Sequence, residues 1–306
     1  MSTTTERIGF IGLGFMGHGM AKNVREAGYE VTVLGNRNRK PVEDMVARGA
    51  VEASNSREVG ERSDIVMMCL PGSPQVEAVV RGENGLREGL ASGSVIIDST
   101  TADPVSTAAI ADELAKKGVD FVDAPLSRTP KEAWEGTLDM MVGAKDQVLE
   151  RVRPVLEVCT QRFTHIGGVG DGHRMKLLNN FLSMGYASIY AEALTLANKV
   201  GIAPETFHSV INGSRMDCGF YQTFMGYLIE GNREAHKFTL TNGLKDLRYL
   251  GSMADSVGLV NPVGAAAKNT LAAAVASGAD GPEDYVPHLP EHIGRLNGTT
   301  LKPTKG

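Results

Sequence analysis

The chain has 306 residues, 42 % apolar and 22 % charged, with 31 Lys and Arg against 36 Asp and Glu for a net charge of −5. That is enough for two domains with a sizeable core, and the acidic balance gives no support to a general nucleic-acid role. No run of about 18 apolar residues suggests a membrane span, and the start "MSTTTER" is no signal peptide, so a cytoplasmic protein is expected.

Residues 7–12 ("RIGFIG") read as a buried strand. The glycines Gly12, Gly14 and Gly17 follow in the spacing G-x-G-x-x-G and open a helix. Such a loop lets the backbone approach a pyrophosphate, and the helix N-terminus adds N–H donors and a favourable dipole. Read bare, it is a tight turn. At the first strand of an α/β pattern it predicts dinucleotide binding.

"EVTVLG" is the second strand. NAD-binding domains place an acid at its end to hold the adenosine ribose. No acid is found within "VTVLGNRNRK". Asn36, Arg37 and Arg39 stand there with Lys40, a set that favours the 2′-phosphate of NADP over NAD, the alternative being a solvated turn. "EDMVARGA" ends a second helix, and "DIVMMCL", "SVIIDST", "DFVDAPL" and "TLDMMVGA" are further strands. Strands apolar throughout, alternating with helices, predict a parallel sheet covered on both faces.

The texture changes near residue 167, at "GGVGDGH". Residues 172–200 form one helical run, about 43 Å long at 1.5 Å per residue, ending at Gly201. Helical patterns continue at 204–211, 240–256 and 263–277, with no convincing strand. The fold class expected is α/β: a Rossmann-type dinucleotide-binding domain (1–168) followed by an all-helical substrate and dimerisation domain (169–296) hung on a long interdomain helix, with a flexible tail (297–306).

Three scattered cysteines (Cys69, Cys159, Cys218) without C-x-x-C indicate neither a disulfide framework nor a zinc site. His288 and His292 are four apart, but Pro287 and Pro290 argue against a helix presenting both to a metal. No metal is expected.

On the long helix, Lys176, Asn179, Asn180 and Ser183 share one face by spacing. Buried amides need partners, so a polar stripe among Leu, Met and Ala suits a cleft between domains better than a core. A lysine in the first turns feels the positive helix end and partial desolvation, and both lower its pKa toward a value useful for proton transfer. The bland alternative is a solvated stripe beside a linker.

Together "GFIGLGFMG", "DSTTADP", "DAPLS", "GDGHRMKLLNN" and "GLKDLRYL" resemble the β-hydroxyacid dehydrogenase family over residues 6–292. The resemblance implies NAD(P)-dependent hydride transfer with Lys176 as acid/base and Asn180 as its polar partner. It implies that Phe15, Met16, Leu70 and Thr101 line the dinucleotide and that Lys245 lies near the nicotinamide. A homodimer or homotetramer is expected, because isolated helices over 204–277 would expose apolar faces.

Most of the family has Ser-Gly-Gly after "DAP-x", where this chain has Ser127, Arg128 and Thr129. The pattern Arg128, Thr129, Ala133, Gly136, Thr137, Leu138 is similar to the branch containing 3-sulfolactaldehyde reductase, which also reduces succinic semialdehyde. In that branch the arginine, with positions matching Asn179 and Ser183, grips a sulfonate or distal acid, so Ser127, Arg128, Thr129, Asn179 and Ser183 are the residues expected to bind the substrate. Two features depart from the branch: the basic end of the second strand and Ser127 in place of Gly. The expected substrate is thus a small anionic aldehyde or hydroxy acid, with a generic 3-hydroxyisobutyrate or 3-hydroxy acid dehydrogenase as the alternative. In another reading Arg128 is structural and pairs with Asp123, Glu132 or Glu135, and Trp134 is packing. A non-catalytic scaffold and an imine reductase are other classes of the fold, and Lys176 speaks against both.

Overall fold

The computed structural model describes residues 6–304. It divides into two compact units, Met1–Lys176 and Leu177–Gly306. The first contains β1 (Arg7–Ile11), α1 (Gly17–Glu26), β2 (Glu30–Leu34), α2 (Lys40–Ala47), β3 (Val51–Ala53), α3 (Ser56–Glu61) and β4 (Ile65–Met68). Then follow α4 (Ser73–Arg81), α5 (Leu86–Gly89), β5 (Val95–Asp98), α6 (Pro104–Ala115), β6 (Asp120–Asp123), β7 (Leu126–Ser127), α7 (Pro130–Glu135), β8 (Leu138–Gly143), α8 (Asp146–Glu157) and β9 (Thr160–Gly167).

The strands form one sheet in the order β3-β2-β1-β4-β5-β6-β8-β7, with β9 on β8. From β3 to β6 every pairing is parallel. Side chains alternate between faces along a strand. In β4, Ile65 and Met67 join the core on one face, Val66 and Met68 that on the other. Both faces are covered, so both alternating sets must be apolar, as the sequence pattern required.

The expectation of a parallel sheet is corrected at one end. β8 runs antiparallel to β6 and β7. Two strands also went unread. β3 has three residues on the sheet edge, too few to show a pattern. β9 is mostly solvent-exposed, so its polar sequence resembles a loop.

α9 (Asp171–Lys199) is the long helix, ending before Gly201 at φ +86°. The second unit adds α10 (Pro204–Ile211), α11 (Gly219–Glu230), α12 (Leu240–Ser256), α13 (Pro262–Ala276), a 3-10 turn (Val286–His288) and α14 (Leu289–Leu296). Its core gathers Leu177, Met184, Ala191, Tyr221, Phe224, Leu244 and Leu271. Among the described residues its only β pairing is an isolated bridge, Thr239 to Tyr285.

α11 was not foreseen because two glycines and four aromatics lower its intrinsic helix propensity, and burial overrides that. α14 begins with Pro290 in its first turn, where proline is tolerated. His288 and His292 are buried, and His288 Nε2 is 3.0 Å from the Arg233 carbonyl. The described residues contain no group of three or more His, Cys, Asp or Glu placed to hold a metal. None of their helices is long and apolar enough to cross a membrane.

The tail differs from the free segment expected. Leu301 is buried, Asn198 donates to Thr299 Oγ1 and the Thr300 carbonyl, and the Thr304 N–H donates to Leu228 O. Residues 305–306 lie outside the described part.

Candidate active site

The loop after β1 divides its labour among three glycines. Gly12 has φ +101°, and a Cβ there would stand 2.2 Å from the Cys69 carbonyl oxygen at the end of β4. A Cβ on Gly17 would meet the Gly12 carbonyl oxygen at 2.0 Å. These two allow the turn and the close packing of α1. Gly14 has nothing within 4 Å of such an atom, so its backbone faces open space. That is the side a pyrophosphate needs, with the α1 N-terminus behind it. Phe15 beside it is 90 % exposed, while Met16 packs on the core. The donor set therefore fits a dinucleotide.

The neighbouring strand ends complete the edge. The Leu70 N–H donates to Thr100 Oγ1 at 3.0 Å, and the Thr100 N–H donates to Asp98 Oδ1 at 2.9 Å. Leu70 and Thr101 thus follow β4 and β5, whose ends are stapled together. Asn36, Arg37 and Arg39 follow β2. Arg39 does not stand free: it makes a two-pronged ion pair with Glu52 of β3. An acid is present after all, supplied by the adjacent strand, which the sequence around β2 could not show.

After β6 the chain passes through β7 to Arg128, where φ is +87°. L-residues rarely adopt this conformation, and glycine does so freely. Arg128 Nε donates to Asp139 Oδ2 at 2.9 Å. The partner is Asp139 of β8, not Asp123, Glu132 or Glu135. The Nη groups make no hydrogen bond among the described residues, and the side chain is about one-third exposed. Thr129 is the N-cap of α7, in a reciprocal capping box with Glu132. That bond holds the Glu132 carboxyl below its usual range.

Half of the branch pattern proves structural. α7 docks on α1: Asn23 Nδ2 donates to the Ala133 carbonyl at 2.9 Å, and Lys22 Nζ to the Trp134 carbonyl at 3.0 Å. A Cβ on Gly19 would strike the Ala133 backbone at 2.6 Å. Ala133 is fully buried, Gly136 closes the helix at φ +72° and Leu138 is core. Trp134 is a half-exposed wall, with Lys22 4.7 Å from its ring centre.

The start of α9 is anchored to β6. Asp123 is fully buried and accepts the N–H groups of Gly170 and His173. Lys176 follows in the next turn, half-buried. In the second unit, Asn180 Nδ2 donates to Asp246 Oδ2 of α12 at 2.6 Å. Asp246 is 2 % exposed, and its other oxygen lies 3.1 Å from Lys245 Nζ, an ion-pair contact not aligned as a hydrogen bond. Asn179 is exposed, and Ser183 Oγ turns back to the Asn180 carbonyl at 3.1 Å.

Residues 7–167 match the model of the NAD-binding domain of 6-phosphogluconate dehydrogenase, and residues 170–286 that of the NAD-binding domain of NADP-dependent 3-hydroxyisobutyrate dehydrogenase. The chain is 40 % identical to 2-(hydroxymethyl)glutarate dehydrogenase of Eubacterium barkeri, over 68 % of this chain and 69 % of that one. It is 30 % identical to 3-sulfolactaldehyde reductase of Escherichia coli K12, over 89 % of this chain and 91 % of that one.

The chain belongs to the β-hydroxyacid dehydrogenase family.

Among solved structures it resembles 3-hydroxyisobutyrate dehydrogenase of Mycobacterium tuberculosis, determined with L-serine, at TM-score 0.81 and 27 % identity, covering 92 % of this chain and 98 % of that one. It is an NAD(P)-dependent oxidoreductase of the hydroxyacid and semialdehyde class. Sequence reasoning about this dehydrogenase missed Glu52, Asp139 and Asp246. Only Asp246 left a signal: a buried Asn180 demanded a polar partner, and "GLKDLRYL" places an acid beside the recognised lysine.

Proposed function

We propose that this dehydrogenase reduces a small aldehyde carrying a compact anion, a sulfonate or distal carboxylate, with NADPH as the favoured cofactor and NADH the alternative. The observation that carries the reading is the backbone of Arg128. A long side chain sits at φ +87°, where glycine would cost nothing. Strain retained in a loop at the edge of the sheet, where open α/β folds bind ligands, points to use of the side chain. Asp139 holds Nε, which leaves the terminal nitrogens to donate in parallel to an anion.

Gly12, Gly14, Phe15, Met16 and Gly17, with Leu70 and Thr101, hold the dinucleotide, Arg37 and Arg39 face its adenosine end, and Lys245 its nicotinamide end. The bound nicotinamide supplies the hydride in reduction and accepts it in oxidation. Lys176, as an ammonium, donates a proton to the developing alkoxide and takes it back in reverse. Asn180, braced by Asp246, orients the substrate oxygen. Ser127, Asn179 and Ser183 are the remaining substrate-binding residues of this reading. Thr129, whose hydroxyl is committed to Glu132, fixes the loop that aims Arg128.

A generic 3-hydroxy acid dehydrogenase is the second reading, favoured by Ser127 in place of the branch's glycine. The experiment is a panel of sulfolactaldehyde, succinic semialdehyde, tartronate semialdehyde, 3-hydroxyisobutyrate and a β-hydroxy amino acid with both cofactors. Equal rates on uncharged aldehydes would overturn the anion grip, and a KM for NADH at or below that for NADPH would overturn the cofactor preference.

The apolar stripe Leu178, Leu182, Ile189 and Leu196 of α9, each about half exposed, is the surface proposed to meet a second copy of the chain.

A further inference from the structure

β3 lies beside β2 with Val33 opposite Glu52 and Leu34 opposite Ala53. Just past the end of β2, Arg39 reaches back across Gly35. Its Nη1 donates to Glu52 Oε1 at 2.7 Å and its Nη2 to Oε2 at 2.8 Å. A Cβ on Gly35 would stand 2.3 Å from Arg39 Nη1 and 2.6 Å from Glu52 Oε1. Gly35 is thus the floor on which this pair rests. Each partner favours the charged form of the other, raising the Arg39 pKa and lowering that of Glu52. Arg37 and Lys40, by contrast, make no ion pair among the described residues.

The pair occupies the end of β2, where an adenosine ribose is read in sheets of this order. A 2′-phosphate and the Glu52 carboxylate would compete for one guanidinium fork, because each anion presents a pair of oxygens to its parallel donors. A ribose hydroxyl is neutral and does not compete with the carboxylate for that fork.

We propose that Glu52 is a specificity-determining residue for the dinucleotide: it occupies Arg39 and so moderates the preference for NADPH over NADH. The inference rests on the reading that the basic residues after β2 face the adenosine 2′ position. A 2′-phosphate is held first by Arg37 and Lys40 and must draw Arg39 away from Glu52.

The test is calorimetric binding of NADPH, NADH, 2′,5′-ADP and ADP to the full-length protein and to E52Q, with no turnover required. Freeing one charged donor should tighten NADPH and 2′,5′-ADP by about tenfold and leave NADH and ADP within about twofold. Arg39→Met should weaken NADPH and 2′,5′-ADP selectively, and this second variant stands if E52Q fails to fold. Equal shifts for phosphorylated and unphosphorylated ligands, or no shift in E52Q, would overturn the proposal. If the wild type prefers NADH but E52Q still tightens 2′,5′-ADP, the cofactor preference fails and the role of Glu52 stands.

Discussion

The carboxylate of Asp123 accepts the backbone N–H of His173 at 2.8 Å, tying the end of β6 to the first turn of the helix that carries Lys176. Its other oxygen accepts from Gly170 at 2.6 Å. Two glycines make room: a Cβ on Gly143 would lie 2.5 Å from Oδ1, and one on Gly172 2.8 Å from Oδ2. A buried carboxylate at a helix N-terminus satisfies orphan donors and favours the dipole at once. Asp123→Ala should cost roughly 3 kcal/mol by urea unfolding, since it removes two charged hydrogen bonds and strands both donors. A loss under about 1 kcal/mol would show that water replaces the carboxylate.

Asp98 is the opposite case. It is fully buried, and desolvation raises its carboxyl pKa despite His173, whose Nε2 lies 4.0 Å from Oδ2. Neither of those two atoms has a hydrogen-bond partner among the described residues. A folded-state pKa above the unfolded value means the native state binds more protons, so stability falls as pH rises from about 3.8 through the raised pKa. Asp98→Asn should remove that fall. Its unfolding free energy relative to wild type should therefore climb across this window. Parallel pH profiles for the two proteins would contradict it.

What could be read from the sequence was set by burial and locality. The parallel strands announced themselves because both faces of residues such as Ile65 to Met68 are buried. The tight glycine turn after β1 was readable because its glycines act within a few residues of each other. The pairs Arg39–Glu52, Arg128–Asp139 and Asn180–Asp246 span 13, 11 and 66 residues and depend on which strand or helix the fold brings alongside. Mostly exposed β9 was silent because, beyond Phe163, which packs on the core, it needs no apolar pattern.

Lys176→Met should lower kcat by about 100-fold or more, the scale of general acid catalysis, while leaving the calorimetric Kd for NADPH within about twofold. Turnover near that of the wild type would end the assignment of the proton donor.

Leu182→Glu on the exposed stripe of α9 should shift the sedimentation profile toward monomer, because a buried unpaired charge at an interface is strongly unfavourable. An unchanged profile in a protein that self-associates would move the interface elsewhere. A monomeric wild type would remove it.

The most direct measurement is kcat/KM of Arg128→Gly on an anionic aldehyde and on an uncharged one of equal size, together with its unfolding free energy. Glycine relieves the positive φ, so the variant should be as stable as the wild type or more so, by about 1 kcal/mol. It should lose roughly 100-fold on the anionic substrate and little on the neutral one. A destabilised variant with the same discrimination between the two substrates would contradict the account and make Arg128 a structural partner of Asp139.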